Sequence, residues 1–152
     1  RGRGAEGKTP VVALIERGGE LRAQKVNRLS AQKLKGIIKQ NVAVTANINT
    51  DEFRSYNGLD KTYANHNTVK HYSGEFVNGT AHTNTLEGWF SLLKRGVNGT
   101  FHHVSEKHLH RYINEFVFRY NNRKSDDAIR SMLAIGQTGD KRLSYYQTTS
   151  DD

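Results

Sequence analysis

The run Val11-Val12-Ala13-Leu14-Ile15 narrows the fold most, because it is apolar, short and rich in β-branched side chains, the makings of a strand rather than a helix. After Glu16-Arg17-Gly18-Gly19 come Leu21, Ala23 and Lys25, alternating with polar neighbours, so two antiparallel strands joined by a Gly-Gly turn are predicted. Ser30 is a good N-cap, and Leu34, Ile37, Ile38 and Val42 then recur at helical spacing. This predicts an amphipathic helix from Ala31 to Gln40 whose apolar stripe needs a sheet to cover. Val44, Ala46 and Ile48 next alternate with Thr45, Asn47 and Asn49, which reads as a strand ending at or near Asp51. A helix between strands predicts a parallel crossover. Phe53 to Leu59 reads as a short helical turn, and Tyr63 to His71 as a further strand despite its Asn and His content.

Two helices dominate the remainder. From Asn84 to Arg95, a turn of 100° per residue places Leu86, Trp89, Phe90 and Leu93 on one side and Asn84, Glu87, Ser91 and Lys94 on the other. After a break at Gly96 to Gly99, Ser105 is positioned to cap a second helix. Its apolar residues Leu109, Tyr112, Ile113, Phe116, Val117 and Tyr120 follow helical spacing and read as core. One short helix is predicted around Asp127 to Ile135. The domain reading is a flexible basic arm over residues 1–8, one folded unit over 9–145 and a polar tail over 146–152.

The 152 residues suit one hydrophobic core. Lys and Arg outnumber Asp and Glu by 23 to 15, for a net charge of +8, which favours a polyanionic partner. Nucleic acid leads, with an anionic membrane surface or simple solubility as the other readings. No apolar run approaches the roughly 20 residues of a membrane span, and a soluble, cytoplasmic protein is expected. With no cysteine, thiolate metal sites and disulfides are excluded, so any bound metal must use oxygen or imidazole ligands.

Asp51 stands where a strand stops, the usual place for ligand groups in open α/β sheets. The competing reading is a cap on the turn that follows. Glu52 points to the opposite face of an extended chain. Glu87 shares a helix side with Asn84 and Lys94, presenting a carboxylate, an amide and an ammonium together; the competing reading is a solvated face. Paired, Asp51 and Glu87 supply the oxygen ligands that magnesium requires, the kind used in two-metal phosphoryl transfer. The seven histidines, at 66, 71, 82, 102, 103, 108 and 110, lack the helical His-Glu-x-x-His arrangement, and those around the third helix suit phosphate contacts or exposure better than zinc. Lys94, Arg95, Lys107, Arg111, Arg119, Arg123 and Lys124, interleaved with aromatics, form a candidate track for a DNA backbone.

The segments GKTPVVALIERGGELRA, TDEFRSYNGL, the long block from Val69 to Arg123, and DKRLSY together resemble the catalytic domain of insertion-sequence family 1595 (ISXO-type) DDE transposases. The most specific piece is HTN-x-x-E-G-W-F-S-L-L-K-R-G, His82 to Gly96. The resemblance implies an α/β, RNase H-like mixed sheet flanked by helices, and DNA cleavage and strand transfer with two Mg²⁺ or Mn²⁺ ions. It makes Asp51 the second and Glu87 the third acidic ligand, with Lys94 matching the lysine two turns further on. Some members of the family use an asparagine in place of the last acidic residue, which makes Asn84 a competing or auxiliary ligand beside the preferred Glu87. Arg95, His102, His103, Lys107 and Arg111 then become DNA contacts, and a homo-oligomer on DNA, associated with the nucleoid and not with membrane, is implied. The family's first Asp and first strand precede the region where this chain starts, so the resemblance implies a truncated domain with little activity alone; a noncatalytic DNA-binding remnant is the rival reading.

Overall fold

A computed structural model describes residues 8–69 and 83–139. The expected strand β1 spans Val11–Ile15 and pairs antiparallel with β2, Leu21–Lys25, in a register that sets Ala13 opposite Ala23. Gly18 sits at φ +70°, the left-handed conformation that glycine adopts at little cost, and reverses the chain between them. Helix α1, Ala31–Asn41, starts where predicted: the Ser30 hydroxyl accepts the Lys33 N–H at 3.2 Å.

β3, Asn47–Asp51, runs parallel to β4, Asn65–Val69, with Asp51 opposite Val69. The sheet differs from expectation in two ways. Where one mixed sheet was predicted, the described residues form two two-stranded sheets. The parallel pair is joined not by α1 but by two 3-10 turns, Arg54–Tyr56 and Leu59–Lys61. The outer edges of β1 and β3 are therefore unpaired among the described residues.

β1 has helices on both sides, which explains its unbroken apolar run. Val12 and Leu14 face α1, in a cluster with Leu34, Ile37, Ile38 and Tyr63 that also takes in Ile48 of β3. Val11, Ala13 and Ile15 face the other way, into a cluster built on Leu21, Trp89, Leu93 and Ile113. These last residues belong to β2, to α2 (Asn84–Arg95) and to α3 (Leu109–Asn121). Leu21 and Ile113 are fully buried, and each such side chain contributes about 1.5–3 kcal/mol. The Trp89 indole N–H reaches the Phe116 carbonyl at 3.3 Å, and Asn121 ties the end of α3 to β2.

A π-helical turn, Gly96–Thr100, extends α2, and Gly96 lies so close to the Phe116 ring that a Cβ there would overlap it. Ser105 makes no side-chain capping bond; a 3-10 turn, Glu106–His108, intervenes before α3. The last predicted helix is present and longer than expected, as α4, Asp127–Thr138. Asp126 caps it by accepting the Ile129 N–H at 2.8 Å. Among the described residues no helix is long and apolar enough to cross a membrane. The basic arm up to residue 7, His71, His82 and the polar tail lie outside the described residues.

Candidate functional site

Asp51 is exposed at the last position of β3. Its Oδ1 accepts the Phe53 N–H at 3.1 Å, an Asx turn that precedes the 3-10 turn without capping it, since that turn starts from Phe53 with no side-chain capping bond; Oδ2 has no hydrogen bond among the described residues. Just before it, the Thr50 hydroxyl donates to the Asp51 carbonyl at 2.9 Å and lies 2.9 Å from His66 Nε2. The hydroxyl has one proton and spends it on the carbonyl, so His66 must donate from Nε2. Burial, partly countered by Asp60, holds the His66 imidazole below its ordinary pKa and keeps it neutral. After Asp51, the Phe53 and Tyr56 rings meet edge to face at 6.1 Å. Burial, together with the Asp51 charge, pushes the Tyr56 phenol up to about 12, so it remains a proton donor at neutral pH.

Glu87 lies in the first turn of α2, where the helix dipole favours a carboxylate, and its Oε1 accepts the Thr83 hydroxyl at 2.8 Å. Burial of Trp89 and Leu93 turns the opposite side outward, and Asn84, Glu87, Ser91 and Lys94 are all exposed. The predicted polar row is therefore present. Lys94 and Arg95 occupy the last turn of the helix, where cations are favoured.

Between α2 and α3, His102 has φ 60°, and the His103 N–H bonds the Phe101 carbonyl at 2.6 Å, a tight turn that leaves both imidazoles exposed. The Phe101 ring anchors that turn against Tyr112 on α3, with centroids 4.6 Å apart. Lys107 and Arg111 are half-buried. Further along α3 the basic track is partly committed to local contacts. Arg119 pairs with Glu115 at 2.8 Å, and Arg123 stacks on Tyr120 at 4.0 Å; Lys124 is exposed.

β3 and α2 do not pack extensively on each other, and alternation along the strands fixes only the side to which Asp51 points. Ile48 points to α1, as Val12 and Leu14 do. Asn47, Asn49 and Asp51 therefore point away from α1, the side on which α2 and α3 cover the β1–β2 hairpin through Val11, Ala13 and Ile15. Among the described residues no group of three or more His, Asp or Glu side chains could hold a metal ion together. The asparagines sharing the Asp51 face were not singled out from sequence. Their signal was the alternation itself, which gives Asn47 and Asn49 the same parity as Asp51.

Comparison with known proteins adds the family. The chain is 34% identical over 123 residues to an uncharacterized protein in transposable element ISH50 of Halobacterium salinarum, a match covering 78% of this chain and 42% of that protein. The chain thus spans less than half the length of this relative. No solved structure matches it. Residues 1–121 match the model of the ISXO2-like transposase domain, and the chain belongs to that family of insertion-sequence transposases.

Proposed function

We propose that this chain is the catalytic part of a DNA transposase that cleaves and joins phosphodiester bonds at insertion-sequence ends, with Asp51 and Glu87 as carboxylate ligands for divalent metal. The observation that carries the reading is a pair of exposed carboxylates, Asp51 at the end of β3 and Glu87 in the first turn of α2, in a chain of this transposase family. Two exposed carboxylates in a chain without cysteine suit a hard cation such as Mg²⁺ or Mn²⁺. Bound metal would supply an activated water and stabilise the departing 3′ oxygen.

The chain's own residues orient these groups. The Phe53 N–H and the Thr50–His66 pair fix the end of β3, and the Thr83 hydroxyl holds Glu87. Lys94, two turns beyond Glu87 on the same row, binds a phosphate near the scissile bond, and Asn84 is the auxiliary ligand. Arg95, His102, His103, Lys107 and Arg111 hold the DNA backbone, to which a net charge of +8 is attracted. The transposase acts as a homo-oligomer on the DNA ends.

Two carboxylates fall short of a DDE triad. The outer edges of β1 and β3 are unpaired among the described residues, and a further strand that bridged them would join the two sheets into a single RNase H-like sheet and carry the third acid. Without that strand, little cleavage is expected from these residues alone.

The test is Mn²⁺-dependent cleavage of terminal inverted-repeat DNA by the full-length transposase and by this chain alone. Asp51→Asn and Glu87→Gln should each lower full-length cleavage by about a hundredfold or more while DNA binding persists. Wild-type cleavage by either variant, or robust turnover by the chain alone, would overturn the assignment. Salt-sensitive DNA binding by a full-length protein that never cleaves would make it a DNA-binding remnant instead.

A further inference from the structure

The face of β3 and β4 that carries Asp51 is an amide surface for two rungs and ends, opposite Asp51, on the fully buried Val69 of β4. Asn47 pairs with Asn65, and Asn49 with Asn67, in the parallel register. Both side-chain bonds run in the same sense: Asn65 Nδ2 donates to Asn47 Oδ1 at 2.7 Å, and Asn67 Nδ2 donates to Asn49 Oδ1 at 3.2 Å. Among the described residues this leaves the Nδ2 groups of Asn47 and Asn49 uncommitted on β3, in line with Asp51, and the Oδ1 groups of Asn65 and Asn67 with spare acceptor capacity on β4. A donor row and an acceptor row therefore lie side by side. Asn49 is half-buried, and the other three are exposed.

Asparagine is depleted in strands, so four of them on one face of two five-residue strands run against local propensity. None lies on the side facing α1. Rows of this kind suit a nucleic acid strand, whose phosphate oxygens accept hydrogen bonds and whose base amino groups donate them. Asn49 stands two residues before Asp51 on the same face, about 6.6 Å away along the strand. A lysine there would form an ion pair with Asp51 and compete with any cation at that carboxylate. A neutral amide donor binds a phosphate oxygen without doing so.

We propose that this amide face seats the DNA strand entering the Asp51 site, with phosphates over β3, bases toward β4, and the Asn49 Nδ2 donating to a non-bridging oxygen of the scissile phosphate. The proposal rests on Asp51 belonging to the cleavage site. The occupant is the DNA strand because the donor row continues into that carboxylate and the chain is strongly basic.

The test is single-turnover cleavage by the full-length transposase of terminal-repeat DNA with an oxygen or a single phosphorothioate diastereomer at the scissile phosphate. Asn49→Ala should slow cleavage of the oxygen substrate by about a hundredfold. Sulfur at the oxygen facing Asn49 should slow the wild type but add nothing to the loss in Asn49→Ala, while the other diastereomer slows both equally. Asn67→Asp keeps the rung but reverses it, drawing in the Asn49 N–H, and should reproduce the loss. Asn65→Asp, the same charge one rung further away, should cost less. Asn49→Ser, which retains a donor, should recover part of the rate and serves if the alanine variant does not fold. Unchanged cleavage by Asn49→Ala, or a loss identical for both diastereomers, overturns the proposal, as would protection of this face by another protein segment when DNA is bound. Asp51→Asn in the same assay separates the two claims: full activity there defeats the site assignment, whereas a loss there with none in Asn49→Ala defeats only the amide seat.

Discussion

The Asn121 side chain closes a two-point clasp on the main chain of Leu21, its Oδ1 accepting the Leu21 N–H at 2.8 Å and its Nδ2 donating to the Leu21 carbonyl at 3.0 Å. The clasp joins residues 100 positions apart and occupies main-chain groups at the start of β2 that an edge strand would otherwise leave open. Asn121→Ala should destabilise the fold by about 1–3 kcal/mol, since both Leu21 groups lose their partners while Leu21 remains buried. Asn121→Asp keeps the acceptor but not the donor and should fall between. Urea denaturation midpoints measure this order, and equal midpoints for all three proteins would refute it.

Gly96 and Phe116 set how closely α2 approaches α3. A methyl group at position 96 would overlap the Phe116 ring, so Gly96→Ala should cost about 1–3 kcal/mol through overpacking. Phe116→Leu should recover part of that loss in the double variant, because the two positions are in contact. A double-mutant cycle read by thermal denaturation checks this; simple additivity would contradict it.

The neutral His66 makes stability depend on pH. The unfolded chain takes up this proton near pH 6.5, whereas the folded protein resists it to lower pH because the imidazole is partly buried. Between the two values the unfolded chain binds more protons, so stability declines as pH falls below about 6.5 and levels off beneath the folded value. Replacing His66 with Gln removes this titration, so the variant's denaturation midpoint should drop less than the wild type's between pH 8 and pH 5. Parallel declines in the two proteins would contradict the assignment.

Hydrophobic periodicity along the chain makes much of this fold legible. The hairpin, α1, α2 and the apolar stripe of α3 lie where spacing places them, because each buries a regular face against a neighbour. Strand partnership is not legible in this way, since pairing between distant segments leaves no local mark. The separation into two sheets and the 3-10 links between β3 and β4 follow neither from Ile48 nor from Val69. Ser105 resembles a cap by composition, yet a 3-10 turn intervenes before α3 and its side chain is not used. The polar row of α2 is readable because Trp89 and Leu93 define its opposite side. The amide face is hidden by the same asparagines that compose it, which weaken a strand signal while marking a surface.

Because Asp51 owes its outlook to parity, the connector from Val42 to Ala46 carries a constraint of length rather than of chemistry. The Ala64 N–H to Val44 carbonyl bond and the Ala46 N–H to Ala43 carbonyl bond hold that stretch through main-chain atoms, to which most side chains are indifferent. A one-residue insertion or deletion there that shifted β3 by a single position would swing its carboxylate round to the hydrophobic layer beneath α1 and bring Ile48 out into water. Exchanges of residue type along the connector should thus be widely tolerated, whereas a change in its residue count would silence the site at a stroke.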